Sequence, residues 1–296
     1  MNGIGFALGN RKRAFRAGAK PSINVRTRTK QERPKTVMPI SVLKFGGTSL
    51  ASHEDFHKIA ARLKERGQDI VVVVSAQAGM TDRLLKKMFD LAEQPPAHAI
   101  DALLTTGEQQ SAALMAAALT VAGRRAEVVP PWHIFETNGD FGDAEIDAVD
   151  VAPIHERLRN GIVPVVGGFT GRAPDGRLCT LGRGGSDYTA VALGAALGAS
   201  VELCKADTDG VYDCDPNSNS DAERFDTMTY DEAFSLASEG AKVLHDKAAR
   251  SAREGEVELT VRHTFDDGPG TRIGPVADAA RHVPITVPVP VPVPTK

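Results

Sequence analysis

Apolar residues recur along the chain with two different spacings, and these spacings predict alternating strands and helices. Ile70–Val74 is an unbroken β-branched run, which is typical of a parallel strand buried on both faces. Residues 40–45 predict another short buried strand, and residues 54–66 between the two place apolar side chains at helical spacing. A strand, a helix and a strand in this order predict a βαβ unit, the building block of α/β folds.

The rest of the chain continues this alternation. Helices are predicted at 81–93, 187–197, 231–237 and 247–253, and strands at 126–129, 162–166, 200–204 and 257–261. The Ala- and Leu-rich residues 97–122 predict one or two buried helices that are interrupted near Gly107. Residues 138–142 and 207–220 are rich in Asp, Asn and Gly and predict loops. We therefore expect helices packed on a mainly parallel sheet.

The composition fits one large α/β domain or two small ones. The chain has 296 residues, of which 42% are hydrophobic and only 5% aromatic, and this is enough for a substantial core. No apolar run approaches the roughly 18 residues that span a bilayer, so we expect no membrane partner. The three cysteines, Cys179, Cys204 and Cys214, form no CxxC pair. Their pattern argues against a disulfide framework or a zinc site and favours a reducing, cytoplasmic location.

The charge is unevenly distributed between the N-terminus and the rest of the chain. Residues 1–38 carry ten Lys or Arg against one acid, so a segment at +9 precedes a remainder at −12. A domain with this negative charge is a poor general nucleic-acid binder, and we expect no nucleic-acid partner. The basic segment has three interpretations: a stretch that is disordered or that precedes the true start at Met38, a transit peptide, or an arm that binds polyanions. We favour the first.

The two ends of the chain bracket a single predicted domain. We assign residues 1–38 to the basic, disordered extension, residues 39–273 to the folded domain and residues 274–296 to a disordered tail. The tail ends in a Val-Pro repeat, and alternating proline blocks both helix and sheet and favours extended polyproline II. A solvated tail is the simpler interpretation, and a ligand for a proline-reading domain is the alternative.

Two glycine-rich loops are the candidates for chemistry. Residues 180–187 read TLGRGGSD and open into a helix, and residues 44–49 read KFGGTS after a predicted strand. Such loops present bare backbone N–H groups to anions. Arg183 adds a fork of donors suited to a carboxylate or phosphate, and Asp187 is placed to cap the helix or to orient a lysine. Two such loops predict a site where two anionic molecules meet.

Eight motifs, taken together, resemble the catalytic domain of the aspartokinases, within the amino acid kinase superfamily. They are KFGGTS at 44–49, VVVSAQAGMTD at 72–82, TTGEQQS at 105–111, FGDAEI at 141–146, GGFTG at 167–171, TLGRGGSDYTA at 180–190, DGVYDCDP at 209–216 and GAKVLH at 240–245. The resemblance spans about residues 40–273. It implies an α/β amino acid kinase fold, a three-layer α/β/α sandwich with a central, mainly parallel sheet. The N-terminal lobe would bind the amino acid and the C-terminal lobe the nucleotide.

The resemblance also implies roles for individual residues. Lys44 would meet the transferring phosphate, and Asp187 would organise Lys44 and Lys242. Arg183 would bind the α-carboxylate of the amino acid and Glu108 its ammonium group. Thr81, Gly184, Gly185 and Ser186 would complete the substrate site. The nucleotide site would comprise Lys44, Phe45, Gly46, Gly47, Ser75, Ala206, Asp207, Tyr212, Asn217, Lys242 and Val243.

The implied reaction converts ATP and L-aspartate to ADP and 4-phospho-L-aspartate, the first step of the aspartate-family amino-acid pathway. Transfer to a carboxylate needs little base catalysis, because the nucleophile is already ionised. It needs neutralisation of crowded negative charge and in-line positioning. Mg²⁺ would be held mainly by the nucleotide phosphates rather than by protein ligands. By the same resemblance we expect a cytoplasmic homodimer whose small-molecule partners are L-aspartate and ATP.

The chain departs from the aspartokinase pattern mainly in the nucleotide half. Lys205 and Ala206 stand where the family usually reads Trp and Thr, Asn217 replaces an arginine, and Asp246 replaces a proline. These changes keep two alternatives open. One is a kinase for another acidic amino acid. The other is a weakly active paralogue that binds amino acid or partners an aspartokinase subunit.

Regulation is the last expectation from the sequence. Only 25 residues follow Thr271, whereas the regulatory ACT domains that follow the kinase domain in most of the family need about 70 residues each by the family's usual architecture. We therefore expect neither lysine nor threonine to inhibit the enzyme by feedback.

Overall fold

The computed structural model describes residues 24–25, 39–67, 69–216, 218–238 and 244–275. The strands in this part of the chain are β1 (Asn24–Val25), β2 (Ser41–Phe45), β3 (Ile70–Val74), β4 (Ala126–Val128), β5 (Phe135–Thr137), β6 (Ile146–Val149), β7 (Val163–Gly167), β8 (Thr170–Arg172), β9 (Leu178–Thr180), β10 (Ser200–Lys205), β11 (Thr227–Thr229), β12 (Leu259–His263) and β13 (Thr271–Gly274). The helices are α1 (His53–Lys64), α2 (Met80–Leu91), α3 (Ala97–Val121), α4 (Ala152–Arg159), α5 (Gly185–Leu197), α6 (Tyr230–Ser238) and α7 (Asp246–Glu254).

A large, mainly parallel sheet forms the centre of the molecule. It has eight strands in the order β11-β13-β12-β10-β2-β3-β7-β4, and only the β12 and β13 pair is antiparallel. Helices lie on both of its faces. The prediction of an α/β sandwich around a mainly parallel sheet is therefore confirmed.

Strand β3 shows why the sheet needs helices on both faces. All five of its residues are 0% exposed. Val71 and Val73 belong to the core on the α5 side, whereas Ile70, Val72 and Val74 belong to the core that α1 and α3 close. Side chains of a strand alternate between faces, so an unbroken apolar run is what two buried faces require.

A second sheet, which the sequence pattern did not predict, covers part of the α5 side. Its five strands run in the order β1-β6-β5-β8-β9, and β5, β8 and β9 have only three residues each. Strands this short are hard to recognise from periodicity. Residues 24–25 of the basic extension pair with β6 in this sheet, whereas the rest of residues 1–38 and residues 276–296 lie outside the described residues.

Helix α3 runs without interruption through Gly107, so the expected break there is wrong. A Cβ on Gly107 would lie 2.9 Å from the Cβ of Ala76 and 3.3 Å from Cγ of Met80. The glycine therefore lets the helix approach the segment between β3 and α2 closely, and it does not end the helix. Within the described residues, no helix is both long and apolar enough to cross a membrane.

Asp101 ties helix α3 to the second sheet. The residue is 1% exposed, and its Oδ2 accepts hydrogen bonds from the backbone N–H of Gly142 at 2.9 Å and of Thr180 at 2.7 Å. Its Oδ1 accepts from Oγ1 of Thr180 at 3.0 Å. Burial raises the pKa of Asp101, although these hydrogen bonds oppose the shift. The carboxylate thus accepts hydrogen bonds from Thr180, the residue after which the loop to α5 begins.

We expect Asp101→Ala to lower the free energy of unfolding by roughly 3 kcal/mol, because it leaves three donors, two of them on the buried Thr180, without an acceptor. Urea denaturation followed by circular dichroism measures this loss. Asp90→Ala, on the exposed face of α2 where Asp90 pairs with Lys86, is the matched control and should cost less than about 1 kcal/mol. Equal effects of the two substitutions would contradict the role given to Asp101.

Candidate active site

The parallel strands β2, β3 and β7 end at one edge of the large sheet, and a cleft of about 250 Å³ opens there. In open α/β sheets, ligands bind at the carboxyl ends of the strands. The cleft is lined by Lys44, Ser75, Ala76, Thr81, Glu108, Phe169, Gly182, Arg183, Gly184, Gly185, Ser186 and Asp187. The structure therefore brings together the catalytic and substrate-binding residues predicted from sequence, from positions more than 140 residues apart.

The predicted nucleotide residues are less closely gathered. Phe45 is buried on the opposite face of β2, in the core closed by α1 and α3, so only its backbone is left for a ligand in the cleft. Asp207 is exposed, and the hydroxyl of Tyr212 donates to Oδ1 of Asp209 at 2.7 Å. The carbonyl oxygen of Ala206 lies 3.0 Å from Nε2 of His263, within hydrogen-bond distance. Asn217, Lys242 and Val243 lie outside the described residues.

Strand β2 ends at Phe45, after which Gly46 is extended and Gly47 begins a short 3-10 helix over Gly47–Leu50. The backbone N–H of Gly46 donates to the carbonyl oxygen of Cys204, which holds this segment against β10. A Cβ on Gly47 would lie 2.6 Å from the carbonyl oxygen of Ala76. Gly47 is thus needed because this segment touches the backbone at the end of β3, and this contact fixes where Lys44 enters the cleft.

Lys44 and Asp187 form an ion pair on the floor of the cleft. Nζ of Lys44 lies 2.7 Å from Oδ1 of Asp187, and both side chains are almost buried. Burial alone would raise the pKa of Asp187, but the positive charges of Lys44 and Lys205 outweigh it and the pKa is lowered. Asp187 therefore stays ionised and holds the Lys44 ammonium in place.

The start of α5 explains why Asp187 is free for this role. Gly184 is the N-cap residue, with φ of +71°, and no side chain caps the helix. Asp187 lies in the first turn and contacts Lys44 instead, so of its two predicted roles it takes the one that orients a lysine. A Cβ on Gly184 would lie 2.3 Å from the Cβ of His245, so the helix start packs tightly against the residue before α7.

Glu108 is the most unusual group in the cleft. It is 5% exposed; its Oε1 accepts from the backbone N–H of Ala76 at 3.0 Å, and its Oε2 is buried without a partner among the described residues. Burial raises the pKa of Glu108 to about 7, although the Ala76 hydrogen bond and the charge of Lys44 oppose the shift. A buried carboxylate oxygen without a partner is costly, and it is suited to receive a cation from a ligand.

Arg183 lies at the open side of the same cleft. Its side chain is exposed, and it makes no hydrogen bond or ion pair with any residue that the structure describes. Thr81 and the buried Ser186 complete this side of the lining. The cleft thus offers the unpartnered carboxyl group of Glu108 and the guanidinium group of Arg183 to a small molecule that carries a positive and a negative charge.

Sequence reasoning did not identify Phe169 and Lys247 as site residues. Phe169 lines the cleft with φ of +68°, a strained conformation for a bulky residue. Lys247, on α7, is 7% exposed, and its Nζ donates to Oδ1 of Asp143 at 2.6 Å and to the carbonyl oxygen of Leu181 at 3.2 Å. The loop that carries Arg183 is therefore fastened to α7. Only the GGFTG motif around Phe169 marked either residue in the sequence.

A larger cavity, of about 320 Å³, lies on the other face of β2 and β10. Much of its charged lining is paired: Glu202 accepts from Nη1 and Nη2 of Arg66 and lies 3.4 Å from Arg262. None of the residues that line the first cleft lines this cavity. The cleft around Lys44 is therefore the better candidate for chemistry. In the described parts of the chain, no three His, Cys, Asp or Glu side chains are grouped to hold a metal ion.

Comparisons with known proteins show the family to which the chain belongs. The model of the amino acid kinase family matches residues 39–263. The aspartokinase of Thermus thermophilus is 42% identical over 244 residues, which cover 81% of this chain and 60% of that protein. The aspartate kinase Ask_LysC of Stutzerimonas stutzeri is 41% identical over 240 residues, or 80% of this chain and 58% of that protein. This chain thus spans about 60% of the length of these relatives.

Solved structures of aspartate kinases have the same fold. Aspartate kinase from Synechocystis superimposes with a TM-score of 0.72 and 36% identity, covering 82% of this chain and 40% of that one. Aspartokinase III of E. coli, solved in complex with aspartate and ADP, gives a TM-score of 0.71 and 29% identity, covering 81% of this chain and 65% of that one.

The raised pKa of Glu108 predicts that stability depends on pH. The folded chain keeps the Glu108 proton up to about pH 7, whereas an unburied glutamate loses it near pH 4.5. Between these values the folded state binds more protons, so its stability falls as the pH rises through that window. Glu108→Gln removes this loss. Without ligand at pH 8, we expect it to be more stable than wild type by roughly 1–3 kcal/mol.

Urea denaturation at pH 5 and pH 8 measures the effect, and the advantage of Glu108→Gln should shrink at pH 5. Glu254→Gln, an exposed position at the end of α7, is the control and should change nothing at either pH. If Glu108→Gln were no more stable than wild type at pH 8, Glu108 would not be a strained, desolvated carboxylate.

Proposed function

The chain belongs to the amino acid kinase family, and we propose that its cleft transfers the terminal phosphoryl group of ATP to the side-chain carboxylate of L-aspartate. In this reaction a carboxylate oxygen of aspartate forms a bond to the terminal phosphorus, the bond from that phosphorus to the bridging oxygen breaks, and ADP leaves with its electron pair. The product is 4-phospho-L-aspartate. The similarity to aspartokinases across four-fifths of this chain supports the choice of reaction.

The observation that carries the proposal is the unpaired oxygen of Glu108. It lies in the same cleft as Arg183 and the Lys44–Asp187 pair. An α-ammonium group bound to Glu108 would supply the missing partner and favour the charged form of this carboxylate. Arg183 would take the α-carboxylate in a bidentate contact. The side-chain carboxylate of the amino acid is then left to face Lys44.

Lys44 supplies the electrostatics of the transfer. Negative charge accumulates when a carboxylate approaches a phosphate, and a fixed cation that is already in place lowers the energy of that arrangement. Oδ1 of Asp187 lies 2.7 Å from Nζ of Lys44 and holds the ammonium group in place, so little reorganisation is needed during the reaction. Asp187 is not required as a base, because the aspartate side chain is ionised at neutral pH.

ATP and Mg²⁺ fit this site in different ways. The N–H of Gly46 is taken by the carbonyl oxygen of Cys204, so the backbone N–H groups suited to phosphates would come from Gly47 and from the start of α5. Since the described residues offer no grouped metal ligands, we assign Mg²⁺ to the nucleotide phosphates, where it would help to neutralise their charge.

We extend the proposal to the setting in which the protein works. Cys179, Cys204 and Cys214 are all free, which supports a reducing compartment and hence the cytoplasm. The family resemblance supports a homodimer as the working assembly. We also place amino-acid binding in the N-terminal lobe and nucleotide binding in the C-terminal lobe.

A coupled assay of ADP release tests the activity. We expect wild type to release ADP with L-aspartate, far less with L-glutamate and almost none without an amino acid. Lys44→Ala should lower kcat by about 10²-fold or more, because it removes the fixed cation at the transferring group. Lys64→Ala, at the exposed end of α1, is the matched control and should match wild type.

Three outcomes would contradict the proposal. A preference for glutamate would make the protein a kinase of another acidic amino acid. Release of ADP that does not depend on the amino acid would exclude aspartate as the acceptor. A folded Lys44→Ala variant that retains more than half of the wild-type kcat would remove Lys44 from the mechanism.

A further inference from the structure

Lys205 lies at the end of β10, beside the strand that carries Lys44. The two strands are parallel, with Leu203 paired to Lys44 and Cys204 paired to Phe45. Side chains alternate between the faces of a sheet. Leu203 belongs to the core on the α5 side, whereas Phe45 and Cys204 belong to the core on the other side. Lys44 and Lys205 therefore both leave the sheet on the face that α5 covers.

Asp187 lies on that face, at the start of α5, so the register brings two lysines toward one carboxylate. Lys205 is half-buried. Burial lowers the pKa of Lys205, and the nearby Lys44 adds to this effect, whereas Asp187 and Asp207 oppose it. Lys205 in turn is one of the charges that lower the pKa of Asp187. Asp187 forms an ion pair with Lys44 and also feels the charge of Lys205, so two partly desolvated ammonium groups lie near one carboxylate, which favours an anion.

The position of Lys205 relative to the cleft indicates which of the two substrates it would contact. It does not line the cleft that Thr81, Glu108 and Arg183 enclose, although Lys44 and Asp187 do. In the large sheet β10 lies on the opposite side of β2 from β3 and β7, so Lys205 lies on the side of Lys44 away from the amino-acid groups, close in sequence to Asp207. If the amino acid occupies the cleft, the group beside Lys205 is the part of the nucleotide that lies behind the transferring phosphate.

We propose that Lys205 binds the phosphates of ATP that remain on ADP, while Lys44 meets the phosphoryl group that is transferred. The inference rests on the proposed function. It also gives the nucleotide half a cation in place of the arginine that the aspartokinase pattern would have at Asn217, since this chain has a lysine where that pattern usually has tryptophan. The cation that holds the phosphates would then lie at position 205 instead of position 217.

Titration calorimetry with ATP, ADP and AMP tests the role of Lys205 without relying on turnover. For Lys205→Met we expect the Kd of ATP and of ADP to rise at least tenfold, because one phosphate contact is lost. The Kd of AMP, which lacks the β-phosphate, should change less than twofold. Lys205→Arg keeps the charge and should stay within threefold of wild type for ADP. Lys87→Met, at an exposed site on α2, is the matched control.

The KM values separate phosphate binding from a general structural effect. In Lys205→Met the KM for ATP should rise while the KM for L-aspartate stays within twofold of wild type, and the melting temperature verifies that the variant is folded. Lys205→Gln is the second variant, should the methionine variant fail to fold. ADP affinity equal to wild type in either folded variant, or an equal loss for ADP and AMP, would overturn the assignment. A wild-type protein that binds neither ATP nor ADP would instead overturn the proposed function itself.

Discussion

The Lys44–Asp187 ion pair is the interaction on which the rest of the site depends. Two charges this deeply buried cost desolvation energy that their attraction only partly offsets. The pair holds only because β2 and α5 fix its two members from opposite sides, with Nζ and Oδ1 2.7 Å apart. The sheet register, the 3-10 helix that begins at Gly47 and the N-terminus of α5 at Gly184 all serve to keep this geometry. In the proposed reaction, the result is a cation already in place where the phosphoryl group would be transferred.

Glu108 shows the complementary arrangement, in which a group is left unsatisfied until a substrate arrives. Its carboxylate is buried with one oxygen unpaired, and its pKa is raised to about 7. The folded chain loses stability by holding such a group, and such costs are typical of functional sites. A ligand that carries an ammonium group recovers this energy on binding. The same physics would therefore explain both the strain of the free cleft and the preference for an amino acid that we propose.

The sequence predicts those parts of the fold in which local pattern and tertiary environment agree. Ile70–Val74 is apolar at every position because both faces of β3 are buried, and its bounds match the prediction. The second sheet could not be predicted, since β5, β8 and β9 are too short for a period to show. The predicted helix break at Gly107 is wrong because this glycine serves close packing against Ala76, which no local sequence pattern reveals.

In the candidate site, too, some residues can be predicted from the sequence and others cannot. Lys44, Glu108, Arg183 and Asp187 lie in recognisable motifs, and the structure brings them into one cleft. Lys247 lies outside those motifs. Its role depends on the acceptors Asp143 and Leu181, which are distant in sequence, so the local sequence does not reveal it.

Trapping the product with hydroxylamine tests the central claim most directly, because hydroxylamine converts an acyl phosphate to a stable hydroxamate. Wild type would be incubated with ATP, Mg²⁺, L-aspartate and hydroxylamine, and the product identified by mass spectrometry. The account predicts the hydroxamate of the aspartate side-chain carboxyl group, formed in step with ADP and absent with Lys44→Ala. ADP release without any hydroxamate, or a hydroxamate of the α-carboxyl group, would contradict it.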